Sequence, residues 1–196
     1  LSLICLNIFA DEIEEITILG TYLQNGELDS SPVELISKKR LDDFNISSIA
    51  EISKFISAAS GSHFQTNALG GQDQGMASIT LRGLDHSSTL ILINSKRQTF
   101  AGTAANDGEG YIDVNIIPEI AIQRIEILKE GATSLYGSDA IAGVINFQLI
   151  EQFKGMKLDI KHQDTDNYSQ TDNNIGILFG NNVFGFDLVA GLQFLN

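Results

Sequence analysis

The sequence has no tryptophan, two prolines and a single cysteine, and its 12 basic residues are outnumbered by 25 acidic ones. Each shortage excludes something. With Cys5 alone, no disulfide can form within the chain. Cys5 also lies inside Leu1 to Ala10, a nearly unbroken apolar stretch followed by Asp11, Glu12, Glu14 and Glu15. That pattern reads as the end of a secretory signal peptide cleaved after Ala10, with a buried first strand or helix as the alternative. Cleavage would remove the cysteine, and with it thiol catalysis and Cys-ligated zinc. A formal charge of −13 repels phosphate backbones, so no nucleic-acid partner is expected. No stretch approaches the roughly 20 apolar residues of a membrane-spanning helix. A membrane protein of this sequence would therefore be a barrel or lie on the surface.

Catalytic signatures are missing as well. There is no Gly-x-Ser-x-Gly elbow, Walker loop, dinucleotide fingerprint or His-Glu-x-x-His. Of the three histidines (His63, His86, His162), His86 sits between Asp85 and Ser87. Neighbours in a strand point to opposite faces, so this cluster is no triad. Asp164-Thr165-Asp166-Asn167 lacks the Gly and the closing Glu of a calcium loop. No catalytic residue, metal ligand set or cofactor is expected, and the chain does not read as an enzyme.

What is present divides into four stretches: the signal remnant at 1–10, an acidic then polar leader at 11–31, a mixed helix-and-strand region at 32–150, and an alternating region at 151–196. In the third, Val33–Ile36, Ile79–Arg82, Leu90–Ile93, Arg124–Lys129 and Gly143–Leu149 read as strands. Leu90–Ile93 is a continuous apolar run, which predicts burial on both faces. Ser48 and Glu51 have the spacing of a capping box. Ile49, Ile52, Phe55 and Ile56 follow at helical spacing, with Gly61 as a stop. Pro118 is placed to open a short helix, and residues 132–141 allow one or two helical turns. Residues 61–77 and 95–110 are long polar loops.

From 151 onward the period becomes two. Met156, Leu158 and Ile160 alternate with Lys157, Asp159 and Lys161. Ile175, Ile177 and Phe179 form a second set. Phe184, Phe186, Leu188, Ala190, Leu192 and Phe194 form a third. Asn181-Asn182 is expected to make a tight turn before the last run. Strands of about ten residues with one apolar face suit a transmembrane barrel; an ordinary antiparallel sheet on a core is the alternative.

Four segments then occur in a telling order. They are Glu14-Glu15-Ile16-Thr17-Ile18-Leu19-Gly20; Ile79-Thr80-Leu81-Arg82-Gly83-Leu84-Asp85 with Thr89–Asn94; Ile117-Pro118 with Ala121–Gly131; and Leu135–Asn146, which contains Tyr136-Gly137-Ser138 and Ala142-Gly143-Val144. In this order they resemble the N-terminal part of TonB-dependent outer-membrane receptors. The resemblance implies an α+β plug domain, a small mixed sheet with short helices, followed by antiparallel strands of an incomplete transmembrane β-barrel. It implies a TonB box at Glu14, Glu15, Ile16, Thr17, Ile18, Leu19 and Gly20, able to add a strand to the periplasmic protein TonB. Arg82 and Arg124 match plug arginines that pair with barrel glutamates, which here would lie beyond residue 196. Gly131, Gly137 and Gly143 match turn glycines, whereas Ser95 stands where the family often has glycine. The two polar loops become apices facing the vestibule, with His63, Phe64, Gln65, Arg97, Gln98 and Phe100 as candidate ligand contacts. The implied partners are TonB, outer-membrane lipid, and a small-molecule nutrient or metal chelate. The implied function is TonB-dependent import of a siderophore, cobalamin or similar nutrient across the outer membrane of a Gram-negative bacterium, the leader facing the periplasm. A soluble periplasmic binding module with a plug-like fold is the alternative.

Overall fold

A computed structural model describes residues 33–44, 46, 48–62, 77–102, 104–105, 108–129, 132–164 and 171–195. Two sheets organise them. The first has five strands: β1 (Val33–Ser37), β2 (Thr89–Ile93), β3 (Lys96–Arg97), β4 (Ile122–Leu128) and β5 (Gly143–Leu149), in the order β1-β4-β5-β2-β3. β5 runs parallel to β2, and every other pairing is antiparallel. The second is an antiparallel meander of β6 (Gly155–Asp164), β7 (Thr171–Val183) and β8 (Phe186–Leu195). The expected α+β sheet with short helices, followed by antiparallel strands, is what the chain forms. The three strands of the meander do not close into a barrel.

Alternation in β4 and β5 sends side chains to both faces of the first sheet, and both are covered. One face carries Ile36, Ile91, Ile125, Ile127, Ile145 and Phe147, packed against Ile49, Ile52, Ile56, Ile112, Val114 and Ile117. The other carries Leu90, Leu92, Leu128 and Val144 beneath Ala132, Ala140 and Tyr136. The apolar run in β2 is thus buried on both faces, as its composition demands. Residues 132–141 supply two short turns, the helix α2 (Thr133–Tyr136) and a 3-10 turn (Ser138–Ala140).

Several local expectations are corrected. Ile79–Arg82 is not a strand; it holds one isolated bridge, Leu81 to Ala59. Side chains take the place of a ladder there. Thr80 N–H donates to Ser62 Oγ at 3.1 Å, Thr80 Oγ1 donates to the Ser60 carbonyl at 2.7 Å, and Leu81 N–H donates to Thr89 Oγ1 at 2.9 Å. Left-handed backbone at Arg82 (φ 61°) and Gly83 (φ 64°) then ends the extension. Ser48 does precede a helical segment, but that segment, Ile49–Phe55, is 3-10 and Ser48 makes no side-chain cap bond. Glu51 instead bonds Lys54 Nζ at 2.7 Å. Phe55 leaves the core and stacks on Phe44 at the end of α1 (Lys38–Phe44), with ring centroids 3.9 Å apart. Neither α1 nor β3 stands out in the sequence, since each is short and polar.

The turn between β7 and β8 also moves. Asn181 and Asn182 are strand residues, paired with Leu188 and Asp187. Phe184 (φ 55°) and Gly185 (φ 84°) make the turn, the two positive φ values that a two-residue hairpin turn requires. Asn182 Nδ2 donates across the strands to Asp187 Oδ1 at 2.7 Å. Phe184 therefore leaves the period-two set and projects into solvent.

Register aligns the remaining alternation into faces. Met156, Leu158 and Ile160 lie opposite Phe179, Ile177 and Ile175, which lie opposite Ala190, Leu192 and Phe194. This outward face is exposed and apolar, with Ile160 at 64% and Phe194 at 59% of full exposure. The inward face holds Asn174, Gly176, Leu178 and Gly180, all buried, with Gly176 and Leu178 against Ile120 and Gly180 against Phe153. Ten residues rise about 34 Å along a strand, which at a tilt of about 45° is roughly the 25 Å height of a membrane barrel's apolar band.

Candidate functional site

The sequence-derived site residues fall into three groups. The segment Glu14–Gly20 and the residues His63, Phe64 and Gln65 lie outside the described residues. Arg97, Gln98 and Phe100 lie at and just after β3. They line a cleft of about 300 Å³ together with Ser87, Thr89, Ile112 and Asp139. The Arg97 guanidinium is committed within the fold. Nη1 pairs with Asp139 Oδ2 at 2.7 Å, and Nη2 donates to the Tyr136 carbonyl. Arg97 thereby ties β3 to the turn at Gly137 (φ 82°). Gln98 Nε2 donates to the Lys96 carbonyl at 3.0 Å. The Phe100 ring is half exposed and lies over Gly110, where a Cβ would meet it at 2.9 Å. Phe100 is therefore the group of the three that presents free apolar surface to the cleft.

The two arginines differ. Arg82 is exposed, and its left-handed backbone is held by its own N–H to the Ala58 carbonyl at 2.7 Å. Arg124 is largely buried and pairs along its own strand, Nε to Glu126 Oε1 at 2.9 Å. Glu126 is 1% exposed and also accepts from Asn146 Nδ2 at 3.0 Å. Asn146, fully buried, uses its carbonyl oxygen to accept the Ser95 N–H at 2.9 Å. A buried carboxylate requires such partners, because leaving it unpaired costs several kcal/mol. The network fixes the β2–β3 turn, where Asn94 (φ 47°) and Ser95 (φ 62°) are both left-handed. The structure thus does not bring Arg82 and Arg124 to a common partner among the described residues.

Sequence reasoning missed a further group, which joins the two sheets. Pro118 (φ −69°) starts a 3-10 turn, Glu119–Ala121, lying against the inward face of β7 and β8. The Glu119 N–H donates to Gln193 Oε1 of β8 at 2.6 Å. The Glu119 carboxylate, 3% exposed, accepts from Lys161 Nζ of β6 at 2.6 Å. Lys161 also donates to the Ile46 carbonyl at 3.1 Å. Burial pushes the Glu119 carboxyl above its ordinary 4.5, and the Lys161 ammonium offsets part of that rise. Asp113, which caps the next 3-10 turn upstream, is likewise raised by burial, against the pull of the Asn115 and Ala77 N–H groups. The one signal in the sequence was register: Lys161, Gly176, Gly191 and Gln193 all alternate with the apolar outward set.

A small mixed sheet, a cleft of mixed polar and apolar lining beside it, and a seat on an antiparallel meander with an apolar outer face together define the plug of an outer-membrane receptor. The chain belongs to the TonB-dependent receptor plug domain family, whose model matches residues 28–144. Among curated relatives, it is 34% identical over 137 residues to the iron-regulated outer membrane virulence protein of Vibrio cholerae, covering 69% of this chain and 20% of that one. It is 30% identical over 146 residues to the vitamin B12 transporter BtuB of Vibrio vulnificus, covering 73% of this chain and 22% of that one. The chain thus spans about a fifth of the length of these relatives. Solved structures share the fold. The siderophore receptor PirA from Acinetobacter baumannii matches with a TM-score of 0.61 at 23% identity, over 83% of this chain and 24% of that one. A double mutant of the ferric enterobactin receptor PfeA from Pseudomonas aeruginosa matches with a TM-score of 0.66 at 18% identity, over 84% and 24%. The family's place is the outer membrane of Gram-negative bacteria, and its members are transport receptors.

Proposed function

We propose that the protein to which this chain belongs imports a scarce nutrient, a siderophore, cobalamin or a similar chelate, through a barrel plugged by residues 32–150. Residues 151–196 are then the first barrel strands and residues 11–31 the periplasmic leader. The observation that carries the reading is the two-faced meander: an apolar outward face suited to lipid and an inward face seating the plug sheet. The relatives whose names specify a ligand, vitamin B12 and ferric enterobactin, support that class of cargo.

In this reading Glu14–Gly20 is the TonB box. Paired as a strand with TonB, the segment would present Ile16 and Ile18 on one face, and main-chain bonds would supply the affinity. Ligand binds from outside, to His63, Phe64 and Gln65 and to the cleft at Arg97, Gln98 and Phe100. Phe100 offers a ring face, and Gln98 an amide oxygen. Arg82, exposed on left-handed backbone, is free to meet a barrel glutamate beyond residue 196; Arg124 could do so only by sharing Glu126's charge.

The experiment is uptake of a panel of labelled nutrients by cells carrying the full-length protein, with and without TonB. Accumulation of one nutrient that requires both proteins supports the reading. Accumulation that is equal without TonB refutes it.

A further inference from the structure

We infer that the turn Pro118–Ala121 is a fixed anchor, the part of the plug that stays seated on the barrel wall while other parts rearrange; this rests on the transport reading above.

The wall is shaped for this turn. Gly176 and Gly191 are inward-facing strand residues, and each leaves a socket. A Cβ on Gly176 would lie 3.3 Å from Ile120 Cβ, and one on Gly191 would lie 3.1 Å from Ala121 Cβ and 3.3 Å from Pro118 Cγ. Farther along β7, a Cβ on Gly180 would strike the Phe153 carbonyl oxygen, in the segment that leads into β6 rather than in the turn. Neither Gly176 nor Gly191 has the positive φ that favours glycine for its backbone. Close approach of the plug is therefore what these positions require. Leu178, between the two sockets, is fully buried with Ile120 and Ala121.

Polar groups complete the seat at both sides. Gln193 accepts the Glu119 N–H, and Lys161 pairs with the Glu119 carboxylate and reaches the Ile46 carbonyl. Lys38 of α1 donates to the Glu119 carbonyl at 3.4 Å. The polarity is the reverse of the arginine–glutamate pairing expected from sequence, since here the plug supplies the carboxylate and the wall the cation. Opening this seat would strand a buried charge and empty both sockets. The turn is also tethered at short range: the Ile150 N–H donates to the Ala121 carbonyl at 2.8 Å, just before the chain enters β6.

A cross-link tests the anchor in the full-length receptor. Ile120→Cys with Gly176→Cys places two Cβ atoms near the separation a disulfide needs. Uptake by the oxidised receptor within about twofold of the reduced receptor is the expected result, because a disulfide there fixes only what is already fixed. Uptake that collapses on oxidation and returns on reduction overturns the anchor, showing that the seat must open. Absence of uptake by the unmodified receptor would instead count against the transport reading. The anchor is then decided by limited proteolysis of the purified receptor. Glu119→Lys and Lys161→Glu should each expose the Pro118–Ala121 segment to cleavage, and the double swap should restore protection. Glu119→Gln, which keeps the shape, should give the same exposure in milder form. Protection unchanged in every single variant, or a swap no better than either single, overturns it.

Discussion

Gly143 offers the sharpest perturbation of the plug. It opens β5 at φ 140°, and a Cβ there would overlap the Leu128 carbonyl oxygen and lie 2.8 Å from Leu81 Cδ1. The first neighbour is backbone of the adjacent strand, where Leu128 pairs with Val144. It cannot yield without breaking the β4–β5 ladder. The backbone conformation costs an L-residue about 1–3 kcal/mol, and the overlap adds about 1–3 more. Gly143→Ala should therefore destabilise the plug by roughly 2–6 kcal/mol, a large share of the ~5–15 kcal/mol that holds an ordinary domain together. Gly108→Ala is the matched control: φ is 85° there, but nothing lies within 4 Å of the new methyl. Protease resistance of the plug across a urea titration, in the purified full-length receptor, reads both. A Gly143→Ala plug as resistant as the Gly108→Ala plug would refute the argument from close approach.

Three other outcomes are expected. Lys161→Met should cost about 3–5 kcal/mol of plug retention at about pH 7.5, by leaving Glu119 buried and unpaired. Glu119 faces Lys161 and Asp159 of β6 and Lys38 of α1. Its carboxyl is raised above 4.5 in the fold, so the folded form keeps the proton longer than the unfolded chain. The ionisation of Glu119 thus subtracts stability as pH rises between those two values. The pair with Lys161 exists only above the raised one, so the cost of Lys161→Met should shrink as pH falls through it. Thermal melts in both pH ranges check this, and an equal cost in both contradicts it. Ser95→Gly should stabilise by about 0.5–1 kcal/mol, because Ser95 carries a left-handed φ that glycine adopts freely. Its side-chain contacts to Asn146 and Gln148 are long, 3.4 and 3.3 Å, and the bond from its own N–H survives; urea midpoints measure the gain. Leu192→Arg, on the outward face near mid-strand, should impair insertion by about 2–4 kcal/mol, read as loss of folded receptor from membranes.

Residues that act through local chemistry were legible in the sequence. The apolar run at Leu90–Ile93, the alternation of Ile125 and Ile127 and the Pro118 turn each carry their reason within a few positions. The failures share a different cause. Ser48 and Glu51 have capping spacing, but Lys54 competes for the carboxylate and the segment tightens to 3-10. Asn181-Asn182 has turn chemistry, yet strand register carries it past the edge, and Gly185 takes the bend. The seat on the wall was invisible because its halves are far apart in sequence: Glu119 and Gln193 are separated by 74 positions. Gly176 and Gly191 read as ordinary strand residues until Ile120 and Ala121 are seen beneath them. The wider site was legible mainly through family motifs, and its ligand contacts at His63–Gln65 remain proposals.

The central claim, that this plug serves a transporter driven through its leader, is tested most directly at Ile16. Proline there removes the N–H that a TonB strand would pair with and leaves the plug sheet untouched. In cells carrying the full-length receptor, Ile16→Pro should leave surface binding of the nutrient at the wild-type level while uptake falls to that of cells lacking TonB. Uptake at the wild-type rate would contradict the account.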